Sequence, residues 1–534
     1  MTGRSPAKQF AIDWLDRERP RLSAFDLEIW RYAEPAWREY RSARAYVDLL
    51  RAEGFDMEEG SGGMPTAFTA TWGDGGPTIG SYAEYDAVPG NSQQPLPRRA
   101  PRTGLHPQAA GHTDPHSMLG VACLAGLLAT KAAMERYKLK GTLRFHGEPA
   151  EKVCGSKPIH AAKGYYDGVD AYLAYHPWPR NSVTWETHFG TYWSAVFTFE
   201  CREPERWIDR SLMPQSASHA VARAPGAVDA LCLMYTTTKY TKEAMFPHTG
   251  TWTVNEYILA AGDATADNLA PKFSQIQYAW RAPNLAIQEQ IYRVLEQNAR
   301  HAAAVTGCEV SVRWVTKTRV GLPNLALADL TYGNLAAIGA PTWDAEALDF
   351  GRAMQRELGY EETDFPFLPE NRTLTTPQEF EAGLRAALPP WQSHQSADDY
   401  VEYCWHAPTV RLLTARPTLR SGDPRYGAPA WAYNALGGLA AAVDPGLFVA
   451  GKTLALTALD LIEEPSALAR CKAEFAERTG GGVGGDKWVA PLLPCDFPSP
   501  HDLPWPQYIT TPHGEEWWML EPTPGAAIPL RREP

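Results

Sequence analysis

Apolar residues recur at helical spacing near the start of the chain. Phe10, Ala11, Trp14 and Leu15, then Leu22, Phe25, Ile29 and Tyr32, predict two or three helices within residues 6–55. The segment TAFTATWGDGGPTIGSYAEYDAVPG alternates as two strands around a Gly-rich turn, the second ending at Tyr82 to Asp86. An apolar stretch from about Met118 to Tyr137 predicts a long helix. GTLRFHGEPAE predicts a strand running into charge, and GYYDGVDAYLAYHPW a helix end and a strand finishing at His176. Strands alternating with helices, with polar groups at strand ends, predict an α/β fold: a central, mostly parallel sheet flanked by helices, its site along the carboxyl edge.

Around residue 190 the pattern changes. GTYWSAVFTFECRE and SQIQYAWRAPN read as half-buried strands, and GAVDALCLMYTTTKY and AIQEQIYRVLEQNARHAAAV as amphipathic helices, so an α+β domain is inserted at 191–322. PTVRLLTARPT and FVAGKTLALTALDLIEE then return to the first style. The first domain is therefore expected in two segments, 1–190 and 323–479. From Gly480 the chain is too rich in Gly and Pro for regular elements, and 480–534 is expected to wrap over the surface with Trp505, Trp517 and Trp518 as anchors.

With 534 residues, 44% of them hydrophobic, the chain can bury a large core. A net charge of −12 without a run of Lys or Arg gives no footprint for nucleic acid or an anionic membrane, which leaves a small-molecule partner. Eight scattered cysteines without a CxxC pair read as reduced thiols of a cytoplasmic protein. The N-terminus lacks the apolar core of a signal peptide, and no run of 18 apolar residues would span a membrane.

The densest chemistry lies in AGHTDPHSMLG. Asp114 and His116 are two residues apart and project to the same side of a turn stiffened by Pro115, which makes half a metal site or a polar turn. Zn, Mn, Fe or Co would each accept one carboxylate with imidazoles. Glu84, Asp86, Glu148, Glu151 and His176 follow strands, where catalytic groups gather.

YAEPAWREYRSA, AEYDAVPG, GHTDPHSMLG, GEPAEKVCGSK, GVDAYLAYHPW, SASHAV and AGKTLALTALDLI occur in the order found in the aminoacylase and carboxypeptidase G metallopeptidase family. They resemble most its amidohydrolase branch, which includes aminobenzoyl-glutamate hydrolase. The resemblance runs to about residue 490. It implies a catalytic α/β domain, a lid domain that forms a homodimer or higher homo-oligomer, and a metal-activated water that attacks an amide.

By that resemblance Asp114, His116 and His176 hold the metal, Glu151 is the general base and Asp86 supports the ligands. His219 reaches into the partner's site to steady the oxyanion. His112 is expected to orient a ligand rather than bind the metal itself, and Asn268 and Arg281 of the lid either grip a substrate carboxylate or form an ordinary surface salt bridge. Two positions depart from the family: its second Glu ligand is Lys152 here, and Trp431 stands at its last histidine ligand. In two-metal members those ligands serve the same ion. A dication about 4 Å from a charged lysine is opposed by roughly 8 kcal/mol at an effective dielectric near 20. One ion per subunit is therefore expected, Zn or Mn foremost, with Lys152 standing in for the other. His406 and His394 are spare histidines that could fill the lost place or play an ordinary polar role. The activity implied is hydrolysis of a C–N amide bond in a small acylated or aromatic substrate. Its alternatives are hydrolytic deamination of an aromatic amine and a non-catalytic binding protein on the same fold.

Overall fold

The computed structural model describes residues 5–103, 105, 109–203, 225–262, 271–423, 427–511 and 514–519, with side chains through 505. Helices α1 (Pro6–Tyr32) and α2 (Tyr40–Ala52) lead into strands β1 (Asp56–Glu59), β2 (Phe68–Asp74) and β3 (Thr78–Ala83). Next come α3 (His116–Tyr137), β4 (Gly141–Gly147), α4 (Ser156–Ala162), β5 (Ala171–Trp178) and β6 (Ser182–Val183). The chain continues as β7 (His188–Glu200), α5 (Ala227–Met245), β8 (Thr253–Ala261), β9 (Phe273–Ala282), α6 (Leu285–Thr306) and β10 (Glu309–Lys317). It then forms α7 (Leu325–Ile338), α8 (Ala345–Glu357), α9 (Pro377–Ala387), β11 (His394–Ala397) and β12 (Thr409–Ala415). Helices α10 (Ala430–Gly437), α11 (Ala440–Glu463) and α12 (Pro465–Thr479) precede the hairpin β13 (Pro506–Thr511) and β14 (Gly514–Met519).

Two compact units result. The first takes residues 1–188, 322–387 and 400–534, and the second takes 189–321 with 388–399. The return segment 388–399, which the sequence pattern groups with the first domain, joins the second unit because β11 pairs with β7. The hairpin is regular structure where Gly and Pro content predicts none. Its strands, PQYITT and GEEWWM, lie beyond the Gly-rich run and are rich in β-branched and aromatic residues.

The first unit is built on a seven-stranded sheet of order β1-β2-β4-β3-β5-β12-β6. β4, β3, β5 and β12 run parallel, and the antiparallel strands are confined to the flanks. All four parallel strands therefore end on one edge, at Gly147, Ala83, Trp178 and Ala415. α3 and α11 are long and apolar enough to cross a membrane, yet both lie inside this unit, 94% and 78% buried over their most apolar windows, as core helices. Small residues let them approach closely: a Cβ on Gly126 would stand 2.9 Å from Leu454 Cβ. Gly120 does the same where α3 meets β3, since a Cβ there would lie 2.4 Å from Tyr46 Oη and 2.8 Å from the Glu84 carbonyl.

Under the end of β4 lies a buried polar network. The Glu148 carboxylate meets His160 Nδ1 at 3.0 Å and accepts the Tyr166 and Tyr403 hydroxyls at 2.7 and 3.1 Å. His160 Nε2 meets Ser61 Oγ at 2.9 Å, and His146 lies between Thr69 Oγ1 and the Tyr172 hydroxyl at 3.2 and 3.1 Å. Burial raises Glu148, but His160 and Lys157 outweigh it and hold the carboxyl at about 2. Burial, helped by His160, lowers His146 to about 3, so this ring is neutral in the fold.

The second unit carries a sheet of order β10-β7-β9-β8, with β11 added beside β7. Helices α5 and α6 accompany it, α5 packing against β9. β8 lies at the edge and exposes Tyr257 and Ile258.

Gly120→Ala should destabilise the chain by about 1–3 kcal/mol in urea unfolding, because an added methyl in a filled crossing must displace α3. The neutral His146 gives a second expectation. Below about pH 6.5 the unfolded chain binds a proton that the fold refuses, so stability falls as pH drops toward about 3. His146→Gln should flatten the stability–pH slope between about pH 6.5 and 5 by up to ~1.4 kcal/mol per pH unit. Glu148 is silent there, since its own loss begins below its ordinary value.

Candidate metal and catalytic site

Each parallel strand delivers a charged or metal-binding side chain just past its end. β3 is followed by Glu84 and Asp86, β4 by Glu151 and Lys152, and β12 by Arg416, while His176 lies two residues before the end of β5. α3 contributes His116 as its first residue, with Asp114 and Pro115 immediately before it.

His116 is fully buried at the centre. Its Nδ1 meets Asp86 Oδ1 at 2.7 Å, which fixes the ring. Its Nε2 has no hydrogen bond, yet faces Glu84 Oε2 and Glu151 Oε2, each at 3.3 Å, and Asp114 Oδ2 at 3.8 Å. His176 Nε2 stands 3.6 Å from Asp114 Oδ1, and its Nδ1 meets the Pro177 carbonyl at 2.8 Å. Two donors on one tetrahedral zinc ion are about 3.4 Å apart. Asp114, His116 and His176 offer ligand atoms all within 4.8 Å of one another, so this trio fits one ion. Burial and Lys152 pull the His116 pKa down, but Asp86 and Glu84 outweigh them and hold it well above the ordinary histidine value. The carboxylates surrounding this ring demand a positive charge, whether a proton or a metal.

Lys152 points inward. Its Nζ donates to Asp114 Oδ2 at 2.7 Å and to Glu151 Oε2 at 2.6 Å, and its backbone N–H donates to Asp86 Oδ2 at 2.8 Å. Burial lowers the Lys152 pKa, but Asp114 and Glu151 more than reverse this and keep it charged. Burial likewise raises both carboxyls, and Lys152 drives each well below its ordinary value, so both are ionised at neutral pH. An ammonium thus sits against Asp114 Oδ2 and Glu151, on the side of the site where a second ion would need those oxygens. Trp431, at the start of α10, packs against the apolar cluster of Ala347, Met354 and Phe367, and offers no ligand.

The backbone around Glu151 is strained. Ala150 and Cys154 hold left-handed conformations, with φ of 58° and 48°, at a cost of about 1–3 kcal/mol each. Glu39 secures the first: its Oε1 accepts the Ala150 N–H at 2.7 Å and the Trp37 N–H at 3.1 Å, and its Oε2 accepts the Thr66 hydroxyl at 3.0 Å. Burial, then the neighbouring Asp86, pushes Glu39 up to about 8. Lys157, fully buried, donates to Glu84 Oε1 at 2.7 Å.

The other expected residues divide. His112 is buried, meets the Ile29 carbonyl at 3.2 Å and is lowered to about 3 by burial and His116, so it braces the loop from outside the cluster. His406 precedes β12 and meets Asp167 at 3.4 Å, at the end of the sheet opposite the site. It therefore cannot supply the missing ligand. His394 and Arg281 lie in the second unit, where Arg281 stacks 5.5 Å from the Tyr192 ring centre. His219 and Asn268 lie outside the described residues. Another trio of ligand type, His146, Glu148 and His160, is the network under β4, whose ring nitrogens are all engaged. Sequence reasoning missed Glu39, Lys157 and Arg416. The last carried the signal used for the others, a charge directly after a strand.

No family model matches the chain. It is 27% identical over 485 residues to a p-aminobenzoyl-glutamate hydrolase chain of Escherichia coli K12, covering 88% of this chain and 95% of that protein. It is 26% identical over 325 residues to Xaa-Arg dipeptidase of Mus musculus, covering 57% of this chain and 65% of that protein. The aminobenzoyl-glutamate utilization protein from Klebsiella pneumoniae, 14% identical, has the same fold. It aligns with a TM-score of 0.53 over 84% of this chain and 98% of its own. Over most of its length the chain is similar to members of the aminoacylase and carboxypeptidase G metallopeptidase family, aminobenzoyl-glutamate hydrolase among them, and it is a hydrolase acting on carbon–nitrogen bonds.

Proposed function

We propose that the protein is a metal-dependent amidohydrolase that cleaves a small acyl- or aroyl-amino acid, using one divalent transition metal ion per subunit held by Asp114, His116 and His176. The observation that carries this reading is His116 Nε2: buried, without a hydrogen bond, and faced by three carboxylates. When bound there, a zinc or manganese ion supplies Lewis acidity and brings the pKa of a water toward neutrality. Asp86 holds the His116 Nδ1 proton and so directs Nε2 toward the ligand position. Glu151, ionised at neutral pH, takes the proton of the attacking water and returns it to the leaving nitrogen. Lys152 neutralises Asp114 Oδ2 and Glu151 where two-metal relatives would need a second cation. The names of the relatives make p-aminobenzoyl-glutamate and dipeptides ending in arginine the first substrates to test.

A homodimer joined through the second unit goes with this reading. It is supported by the edge position of β8 and by its exposed Tyr257 and Ile258, because an unpaired strand edge carrying apolar side chains invites a partner.

Elemental mass spectrometry on protein purified without chelator should find one ion per chain, and His176→Ala should lose it; two ions per chain would overturn the single-ion site. Glu151→Gln should lower kcat roughly 10²- to 10⁴-fold with metal content unchanged. A chain that binds these compounds with no turnover to lose would instead be a binding protein. Light scattering should give twice the chain mass of 59.0 kDa, and a Tyr257→Glu/Ile258→Lys variant should return it to a single chain.

A further inference from the structure

Arg416 has no part in the chemistry described so far. It follows β12 directly, beside the end of β5, where its backbone N–H donates to the Trp178 carbonyl at 3.0 Å. Its guanidinium donates through Nη1 to the Thr113 carbonyl at 2.8 Å, one residue before Asp114, and lies 4.7 Å from the centre of the Tyr433 ring on α10. That is one hydrogen bond for five N–H donors, and Nε is buried with no partner among the described residues. The other cations of the site are spent: Lys152 is bound by two carboxylates and Lys157 by Glu84.

This contrast has a chemical meaning. An acyl-amino acid carries a carboxylate, and Glu84, Asp86, Asp114 and Glu151 would repel it. A planar guanidinium with unused donors, held flat against a tyrosine ring, answers that repulsion and matches a carboxylate's two oxygens. Resting on the amidohydrolase reading above, we infer that Arg416 binds the carboxylate of the substrate and makes the catalytic unit selective for anionic amides, independently of any residue of the lid.

The test compares p-aminobenzoyl-glutamate with its neutral diamide. Calorimetric binding to the metal-loaded Glu151→Gln chain isolates recognition from turnover. With Arg416 present, the acid should bind roughly 10- to 100-fold tighter than the diamide. Arg416→Gln should abolish that preference while leaving diamide affinity unchanged, and Arg416→Lys, which keeps charge but not the fork, should restore only part of it. In the otherwise wild-type chain, Arg416→Gln should raise KM for the acid with a smaller change in kcat. Equal binding of acid and diamide by the chain with Arg416, undetectable binding of both included, overturns the inference. So does an Arg416→Gln variant that loses both ligands alike, since that is a structural prop for the Thr113–Asp114 turn. Failure of the amidohydrolase reading looks different: the acid is bound selectively but never cleaved.

Discussion

Burying several carboxylates within reach of one another is costly in a low-dielectric interior, and the catalytic unit is organised around answering that cost. Glu84 and Asp86 come from the end of β3, Glu151 from the end of β4, and Asp114 from the turn before α3. Each has its own counter-group: Lys157 for Glu84, Lys152 for Asp114 and Glu151, and His116 for Asp86. His116 is the variable member, able to bear a proton or to turn its free nitrogen to a metal. The two lysines are constant. Among these groups, four carboxylates against two ammonium groups leave a net negative charge that a proton on His116 or a bound cation offsets.

Holding these groups in place is the work of the backbone and the core. Parallel strands ending in register bring four loops to one line, and the buried α3, clasped by α11 through small residues, fixes His116 at its first turn. The loop carrying Glu151 and Lys152 is the strained part. Two left-handed non-glycine residues bracket it, Glu39 holds one end, and the Glu148 network lies directly beneath. This places the flexible chemistry of carboxylate and ammonium on a foundation that has little room to shift.

Much of this could be read from residue order, because the same periodicity that marks a strand also marks where it ends. Asp86, Glu151 and His176 were found by that logic, and the helix from Met118 by its apolar run; the helix begins two residues before that run because His116 takes the first helical place. Lys157 escaped because a lysine on a short helix looks solvated until Glu84 is folded against it. Glu39 escaped because its partner, the Ala150 N–H, is 111 positions away in sequence. His406 misled for the converse reason: it adjoins a site strand, but at the wrong end, and a sequence carries no sign of which edge a residue will face. The second unit holds three further strands that the pattern reading passed over, β8, β10 and β11: β8 has no fully buried position and β11 is four residues long, whereas in β10 the alternation of Val310, Val312 and Trp314 with polar neighbours was the signal to use.

The position of Lys152 has a bearing on how the protein lives with its surroundings. A charge fixed to a side chain arrives with translation; it cannot be exchanged, competed away or starved. With the ammonium between Asp114 and Glu151, half of the site is already charge-balanced as the chain folds, however scarce transition metals are at that moment. Under the single-ion proposal, the demand on the cell's metal supply falls on the place beside His116, and that is the place a chelator has to attack.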